Sequence, residues 1–218
     1  MTALEDVKLW IFDLDNTLYS DESGIGRQMG DNMTRFVANT LDMPMDQAKQ
    51  ARKDFFRRYG TTMRGLMEEH GTDPHHFMDY VHDVDTSRLT VDAQLQSALA
   101  ALPGRRVIYT NASAKHAENI CDTLGIADLF EHVFDIAAAE FAPKPDMRPY
   151  QTLLSKLGHV DGKGACMFED MAINLEPAHQ LGMATVLVET PHNADTPQTA
   201  HIHHRAPCLT SWLSARSG

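Results

Sequence analysis

The sequence predicts an α/β protein: a parallel sheet covered by helices on both faces, with a second, all-helical subdomain inserted after the first strand. Short apolar runs with strand character recur at 7–12, 106–109, 132–134, 165–168 and 184–188. Helical patterns with clear stop signals separate them. Between Gly24 and Asp85 the alternation ceases and only helical patterning remains.

The first run, VKLWIF, ends in Asp13, with a second carboxylate at Asp15. The strandless stretch holds RQMGDNMTRFVANTL, DQAKQARKDFFRRYG and DPHHFMDYVHDV, and is too long for a loop. It reads as a helical subdomain over residues 20–87, expected above the carboxyl edge of the sheet. Residues 1–19 and 88–218 would form the core. Met29, Met33, Met43, Met45, Met63, Met67 and Met78 fall at helical spacing and are expected to pack as core filler. Beyond the insertion, the helical pattern of 91–102 stops at Pro103-Gly104. The pattern of 113–124 starts on Ser113 as N-cap and stops at Gly125. Helices over 146–157 and 173–181 end at Gly158 and Gly182.

Composition is that of a globular chain, 43% hydrophobic and 22% charged, with a formal charge of −11. That sign opposes nucleic-acid polymers and anionic membranes as partners, but not a small anion drawn in by a local cation. No segment has the length of a membrane span, and the first residues carry no signal-peptide pattern. A cytoplasmic protein, monomer or homodimer, is expected. Cys121, Cys166 and Cys208 suit buried free thiols. Trp10 and Trp212 are expected at the core or its flank.

In an open parallel sheet, ligands bind beyond the carboxyl ends of the strands. Asp13 and Asp15 follow the first run, Thr110 and Asn111 the second, and Glu169 and Asp170 the fourth, with Asn174 four residues beyond Asp170. Lys144 lies between Pro143 and Pro145 after the third. Alone, each is an Asp-rich turn, a helix cap, a solvated lysine or a dipole-matched acid. Together, each at a strand end, they describe a site. Carboxylates from two strand ends make the hard oxygen cage that magnesium prefers, which explains why acids tip a buried strand. An ionised carboxylate aimed at phosphorus can act as a nucleophile. Lys144 would neutralise it, Thr110 would meet phosphate oxygens, and Asp15 would protonate the leaving oxygen and then activate water.

FDLDNTLY, YTNAS, APKPD and FEDMAIN resemble, in order, the four motifs of the haloacid dehalogenase-like superfamily. The resemblance runs from about residue 7 to about residue 190. It implies a Rossmann-like core, a cap made by the insertion, a magnesium cofactor and phosphatase activity. By position, Asp13 would be nucleophile and metal ligand. Asp15 would be the acid/base and a ligand through its main-chain carbonyl. Thr110 would bind phosphate, Lys144 would be the motif lysine, and Asp170 would be a ligand. Glu169, Asn174 or water would complete the metal shell. The segments YGTTMRGL and FMDYVHDVD are similar to the pyrimidine 5′-nucleotidase branch, which implies a small phosphorylated substrate such as UMP or CMP. Arg64 would then meet a phosphate or base carbonyl, and Thr61 and Thr62 a sugar or base. The same YGTT also reads as a turn whose glycine and hydroxyls only cap.

A phosphatase of another small metabolite and a phosphomutase share these residues. Dehalogenation needs no acid at Asp15, and a phospho-receiver-like binding module needs neither Asp15 nor the insertion. His201, His203 and His204 read as solvated or edge-strand histidines, with transition-metal binding the alternative. Cys166 reads as packing.

Overall fold

The computed structural model describes residues 4–159 and 161–215. Glu22–Arg88 forms one compact unit, and the chain up to Asp21 and from Leu89 forms the other.

The second unit is the core. Six parallel strands, β1 (Leu9–Phe12), β2 (Arg105–Tyr109), β3 (His132–Phe134), β4 (Ala165–Glu169), β5 (Ala184–Val188) and β6 (His204–Ala206), are ordered β3-β2-β1-β4-β5-β6. This is the Rossmann-like, doubly wound order. The chain builds outward from β1 on one side, then returns to β4 against β1 and builds the other. The carboxyl ends of β1 and β4 therefore flank the switch point, where such sheets leave a crevice. β1, β4 and β5 are buried along their whole length, which is why they read as unbroken apolar runs. Phe12 and Phe168, paired in register, stack with ring centroids 4.5 Å apart. Trp10 and Trp212 are both buried, and Cys166 is fully so.

The core helices begin on short polar caps. In α5 (Ala93–Ala100), Asp92 accepts from the N–H groups of Gln94 and Leu95, so the helix starts later than 91. In α6 (Ala114–Leu124), Ser113 caps the first turn, and Gly125 ends the helix in the left-handed region at φ 69°. Asp146 caps α7 (Met147–Lys156). α8 (Ala172–Gln180) and α9 (Leu209–Ser214) complete the set among the described residues.

The inserted unit holds α1 (Ile25–Thr40), α2 (Met45–Tyr59), α3 (Thr62–His70) and α4 (Pro74–Val81). Its interior gathers Phe36, Phe55, Leu66, Phe77 and Val81, with Phe36 edge-on to Phe77 at 5.1 Å.

Two expectations need correction. Met29, Met63 and Met78 are buried filler, but Met45, on the outer face of α2, is 49% exposed. Cys208 is exposed at the start of α9, where its sulfur accepts from the Ser211 hydroxyl. The YGTT stretch is the capping turn between helices: Gly60 ends α2 in the left-handed region and Thr61 caps α3, which Thr62 opens.

Candidate active site

The strand β1 delivers Asp13 to the sheet edge, and its N–H continues the ladder to the Phe168 carbonyl at 2.9 Å. The chain then turns sharply. Asn16 adopts φ 60°, a left-handed conformation that asparagine tolerates, and Leu18 closes a helical turn on the Leu14 carbonyl. The turn brings Thr17 back beneath Asp13, whose Oδ2 accepts from Thr17 Oγ1 at 3.2 Å.

Lys144 is the hub. Its Nζ, 4% exposed as a residue, donates to Asp13 Oδ1 at 2.6 Å, Glu169 Oε1 at 2.8 Å and the Tyr109 carbonyl at 3.0 Å. Burial alone would lower its pKa, yet the charges of Asp13 and Glu169 outweigh that and raise it, so it is held as a cation. The lysine reaches this position because Asn111 grips its backbone. Lys144 N–H donates to Asn111 Oδ1 at 2.8 Å, and Asn111 Nδ2 faces the Lys144 carbonyl at 3.5 Å. Both ends of the Asn111 amide thus engage the lysine loop. Thr110, at the end of β2, is 1% exposed, and its Oγ1 accepts from the Ala112 N–H at 2.9 Å.

Oxygens of Asp13, Glu169 and Asp170 lie within 4.8 Å of one another, the one metal-sized group of this kind among the described residues. The acids strain against each other. Burial and then the Glu169 charge raise the pKa of Asp13, against the pull of Lys144. Burial, Glu169 and Asp13 raise that of Asp170. A divalent cation is the partner such a cluster lacks, so the donor set fits magnesium.

The three acids differ in what else they hold. Glu169 Oε1 already accepts from Lys144 and from Asn174 Nδ2 at 2.7 Å, and its Oε2 accepts from the Met171 N–H at 2.7 Å. Asp170 accepts a long contact, 3.5 Å, from Asn16 Nδ2 and is within hydrogen-bond reach of Glu169. Its carbonyl is anchored by Asn193 Nδ2 at 2.7 Å. Asn174 directs its amide nitrogen at Glu169, and its own carbonyl accepts from the Tyr150 hydroxyl at 2.6 Å.

Asp15 has partners of its own, while its charge still reaches Asp13. Its Oδ1 meets His116 Nε2 at 3.0 Å and accepts from the Tyr19 hydroxyl. Sequence reading missed His116, Tyr19, Thr17 and Asn193. Each has an ordinary structural look in sequence, and only the spacing of four from Asp13 to Thr17 and from Asp15 to Tyr19 carried a positional signal.

In the inserted unit, Thr61 and Thr62 line a cavity of about 630 Å³ with Lys49, Arg52, Lys53, Arg57, Phe56 and Met33. Thr61 also caps α3 by accepting from the Arg64 N–H at 3.1 Å. Arg64 itself is not part of that lining. Arg52 is held by the Gly30 carbonyl and the Thr34 hydroxyl. Near the C-terminus, His203 Nδ1 accepts from the Thr185 N–H at 3.2 Å and its Nε2 meets His179 Nδ1 at 3.0 Å, so it serves the edge of the sheet. β6 begins at His204, leaving His201 and His203 outside the strand.

No helix among the described residues is long and apolar enough to cross a membrane. Phosphate metabolism protein 8 of Saccharomyces cerevisiae is 26% identical over 197 residues, covering 83% of this chain and 61% of its own length. The chain thus spans less than two thirds of that relative. Among solved structures, a HAD phosphatase from Thermococcus onnurineus superposes with a TM-score of 0.67 at 16% identity, covering 97% of this chain and 99% of its own. The L-2-haloacid dehalogenase of Xanthobacter autotrophicus gives 0.59 at 17% identity, with coverage of 97% and 99%. At such identities the likeness is one of fold, shared by a phosphatase and a dehalogenase. A model of the haloacid dehalogenase-like hydrolases matches residues 7–182, from β1 to the end of α8, and the chain belongs to that family.

Proposed function

We propose that this chain is a magnesium-dependent phosphomonoester hydrolase working through an aspartyl-phosphate on Asp13, with pyrimidine nucleoside 5′-monophosphates such as UMP and CMP as substrates. The observation that carries the reading is the buried Lys144, bridging Asp13 and Glu169 beside Asp170. A lysine so placed opposes the burial and the Glu169 charge that favour a protonated Asp13, and faces the charge that grows on phosphoryl oxygens.

Asp13 attacks phosphorus and the bond to the ester oxygen breaks. Asp15 gives its proton to that oxygen, then takes one from the water that hydrolyses the aspartyl-phosphate. Thr110 supplies a hydroxyl to the phosphate. Asp13 and Asp170, with the Asp15 carbonyl, would hold magnesium, and Glu169, whose two oxygens accept from Lys144, Asn174 and the Met171 N–H, is assigned to the lysine. When bound, the metal supplies charge neutralisation at the transferring phosphoryl group. The presence of Asp15 favours phosphate over halide chemistry, since halide leaves without a proton.

The substrate class rests on the YGTTMRGL resemblance. It is supported by the cavity of the inserted unit, which four cations and two hydroxyls line together with Phe56 and Met33, a lining suited to a small anion with a flat apolar part. The name of the yeast relative, a phosphate metabolism protein, agrees with phosphoryl chemistry.

The test is phosphate release from UMP, CMP, dUMP, AMP, GMP, phosphoglycolate, sugar phosphates and a chromogenic ester, with and without magnesium. Asp13→Asn serves as the blank and should lose about 10⁴-fold or more in turnover while remaining folded. Magnesium-dependent release favouring UMP and CMP is expected. Broad release would retain the mechanism and remove the substrate, and activity retained by Asp13→Asn would sink the covalent intermediate.

A further inference from the structure

Asp15 is reached from two directions by hydrogen-bond donors, and one of them has no counterpart in the roles assigned so far. His116 lies 101 residues away in sequence, on the first turn of α6, and is 1% exposed. Its backbone N–H donates to the capping hydroxyl of Ser113 at 3.4 Å, which fixes where the side chain leaves the helix. From there Nε2 arrives 3.0 Å from Asp15 Oδ1. With Oδ1 the accepting oxygen and the proton of the acid form on Oδ2, Nε2 is the donor. Tyr19, one turn after Asp15, sends its hydroxyl to the same Oδ1. The tyrosine is itself buried, with an exposure of 8%.

Two donors on one oxygen have a mechanical consequence. The terminal torsion of an aspartate is broad and roughly two-fold, so an unsupported carboxylate at a turn samples many orientations. Proton transfer to a leaving oxygen needs the acid within hydrogen-bond reach, about 2.6–3.2 Å between heavy atoms. The Asp15 side chain keeps 24% of its surface exposed, whereas His116 keeps 1%. The acid is accessible and its supports are not. The helix α6 that carries His116 begins just beyond Thr110, so one element ties the phosphate-facing loop to the acid.

We infer that His116 and Tyr19 are positioning residues for Asp15, holding its carboxylate in the orientation that delivers a proton to the departing ester oxygen. The inference rests on the reading of Asp15 as general acid. In the step it serves, the Asp13–phosphorus bond forms, the phosphorus–oxygen bond breaks, and the oxygen leaves with the proton that Asp15 held.

Leaving-group dependence separates positioning from packing. An alkyl ester, with a poor leaving group, needs the proton; 2,4-dinitrophenyl phosphate does not. Steady-state kinetics would be measured on both, using the alkyl phosphate that the wild-type protein turns over fastest. His116→Ala should lower kcat/KM, which reports the steps up to departure of the ester oxygen and not the hydrolysis shared by both esters, about tenfold to hundredfold on the alkyl ester, and change it less than about threefold on the dinitrophenyl ester. KM for the alkyl ester should stay within about twofold. His116→Gln, which restores an amide N–H near the position of Nε2, should recover most of the loss. Tyr19→Phe should show a smaller effect of the same selectivity. Where His116→Ala fails to fold, His116→Gln and Tyr19→Phe carry the test, since both preserve volume. Equal losses on the two esters, or no loss on either, would overturn the positioning role while leaving the hydrolase reading in place. A wild-type protein whose alkyl and dinitrophenyl rates are both independent of Asp15→Asn would remove Asp15 as the acid, and this inference with it.

Discussion

The two units of this chain use charge in opposite ways. In the core, Asp13, Lys144, Glu169 and His116 are buried, and each is met by a partner: the lysine by two carboxylates, the histidine by Asp15. In the inserted unit the buried polar groups, such as Asn32 and Thr34, satisfy backbone carbonyls, and the cations Lys49, Lys53 and Arg57 stay exposed around a cavity. Buried charge in low dielectric is strong and unforgiving, whereas exposed charge is screened and adjustable. The first suits bond-making chemistry and the second suits selection. Removing a charge should therefore be costly in one unit and mild in the other.

The largest contrast is expected at Lys144. Lys144→Met removes the shared partner of Asp13 and Glu169 and leaves two buried carboxylates facing each other. Breaking a buried pair in this way typically costs about 3–5 kcal/mol. Turnover should fall by about 10³-fold, since the cation also faces the transferring phosphoryl charge. Thermal denaturation at pH 7 beside phosphate-release kinetics reads both. A variant as stable as wild type would mean that the carboxylates had found another partner, and would break the contrast.

A pH series sharpens the same point. Burial and like charge push Asp13 up to about 7 and raise Asp170 as well, so both bind protons in the folded state that they have lost in the unfolded chain above about pH 4. An acid whose folded pKa is raised contributes stability that is complete below its unfolded pKa and disappears as pH climbs through the folded one. Metal-free protein should therefore lose stability from pH 5 to pH 8, by up to about 1.4 kcal/mol per pH unit for each such group. Magnesium, which favours the ionised acids, should stabilise strongly at pH 8 and weakly at pH 5. Melting curves with chelator and with magnesium across that range test it. A metal-free melting temperature that rises toward pH 8 would show that Lys144 already neutralises the cluster.

The same division explains what could be read from sequence. Strands buried on both faces read as unbroken apolar runs, so β5 at 184–188 was legible to the residue, and acids at their tips stood out against that background. Ser113 and Gly125 marked the ends of α6 because caps are local chemistry. β6 spans only three residues and α3 starts inside an apparent turn, so neither offered enough periodicity. The supports of the site were hidden for another reason. A histidine on the buried face of an amphipathic helix looks like core until the fold brings Asp15 against it. Asn111 looked like a helix cap or a ligand contact, and its grip on the Lys144 backbone, 33 residues away, belongs to tertiary structure. Glu169 and Asn174 could not be ranked as ligands without seeing that each is turned toward the other.

The smallest expected effect lies in the inserted unit, and it is the one that decides whether the cavity selects. Lys49 and Lys53 line it from adjacent turns of α2 and are exposed, with no ion pair among the described residues. Each contributes to anion affinity on the scale of an exposed charge, about 0.2–1 kcal/mol. Lys49→Gln with Lys53→Gln should raise KM for a monophosphate by about threefold to tenfold, leave kcat within about twofold, and leave stability unchanged within about 0.5 kcal/mol. The rise should shrink as salt is added, because the Debye length shortens to about 8 Å at 0.15 M. A KM that does not move, at low salt, would separate the cavity from substrate selection and leave Thr61 as the cap of α3 and Thr62 as its first residue. A fall in kcat with KM unchanged would mean that these exposed lysines act on the chemical step, and the division of labour between buried and exposed charge would fail at that point.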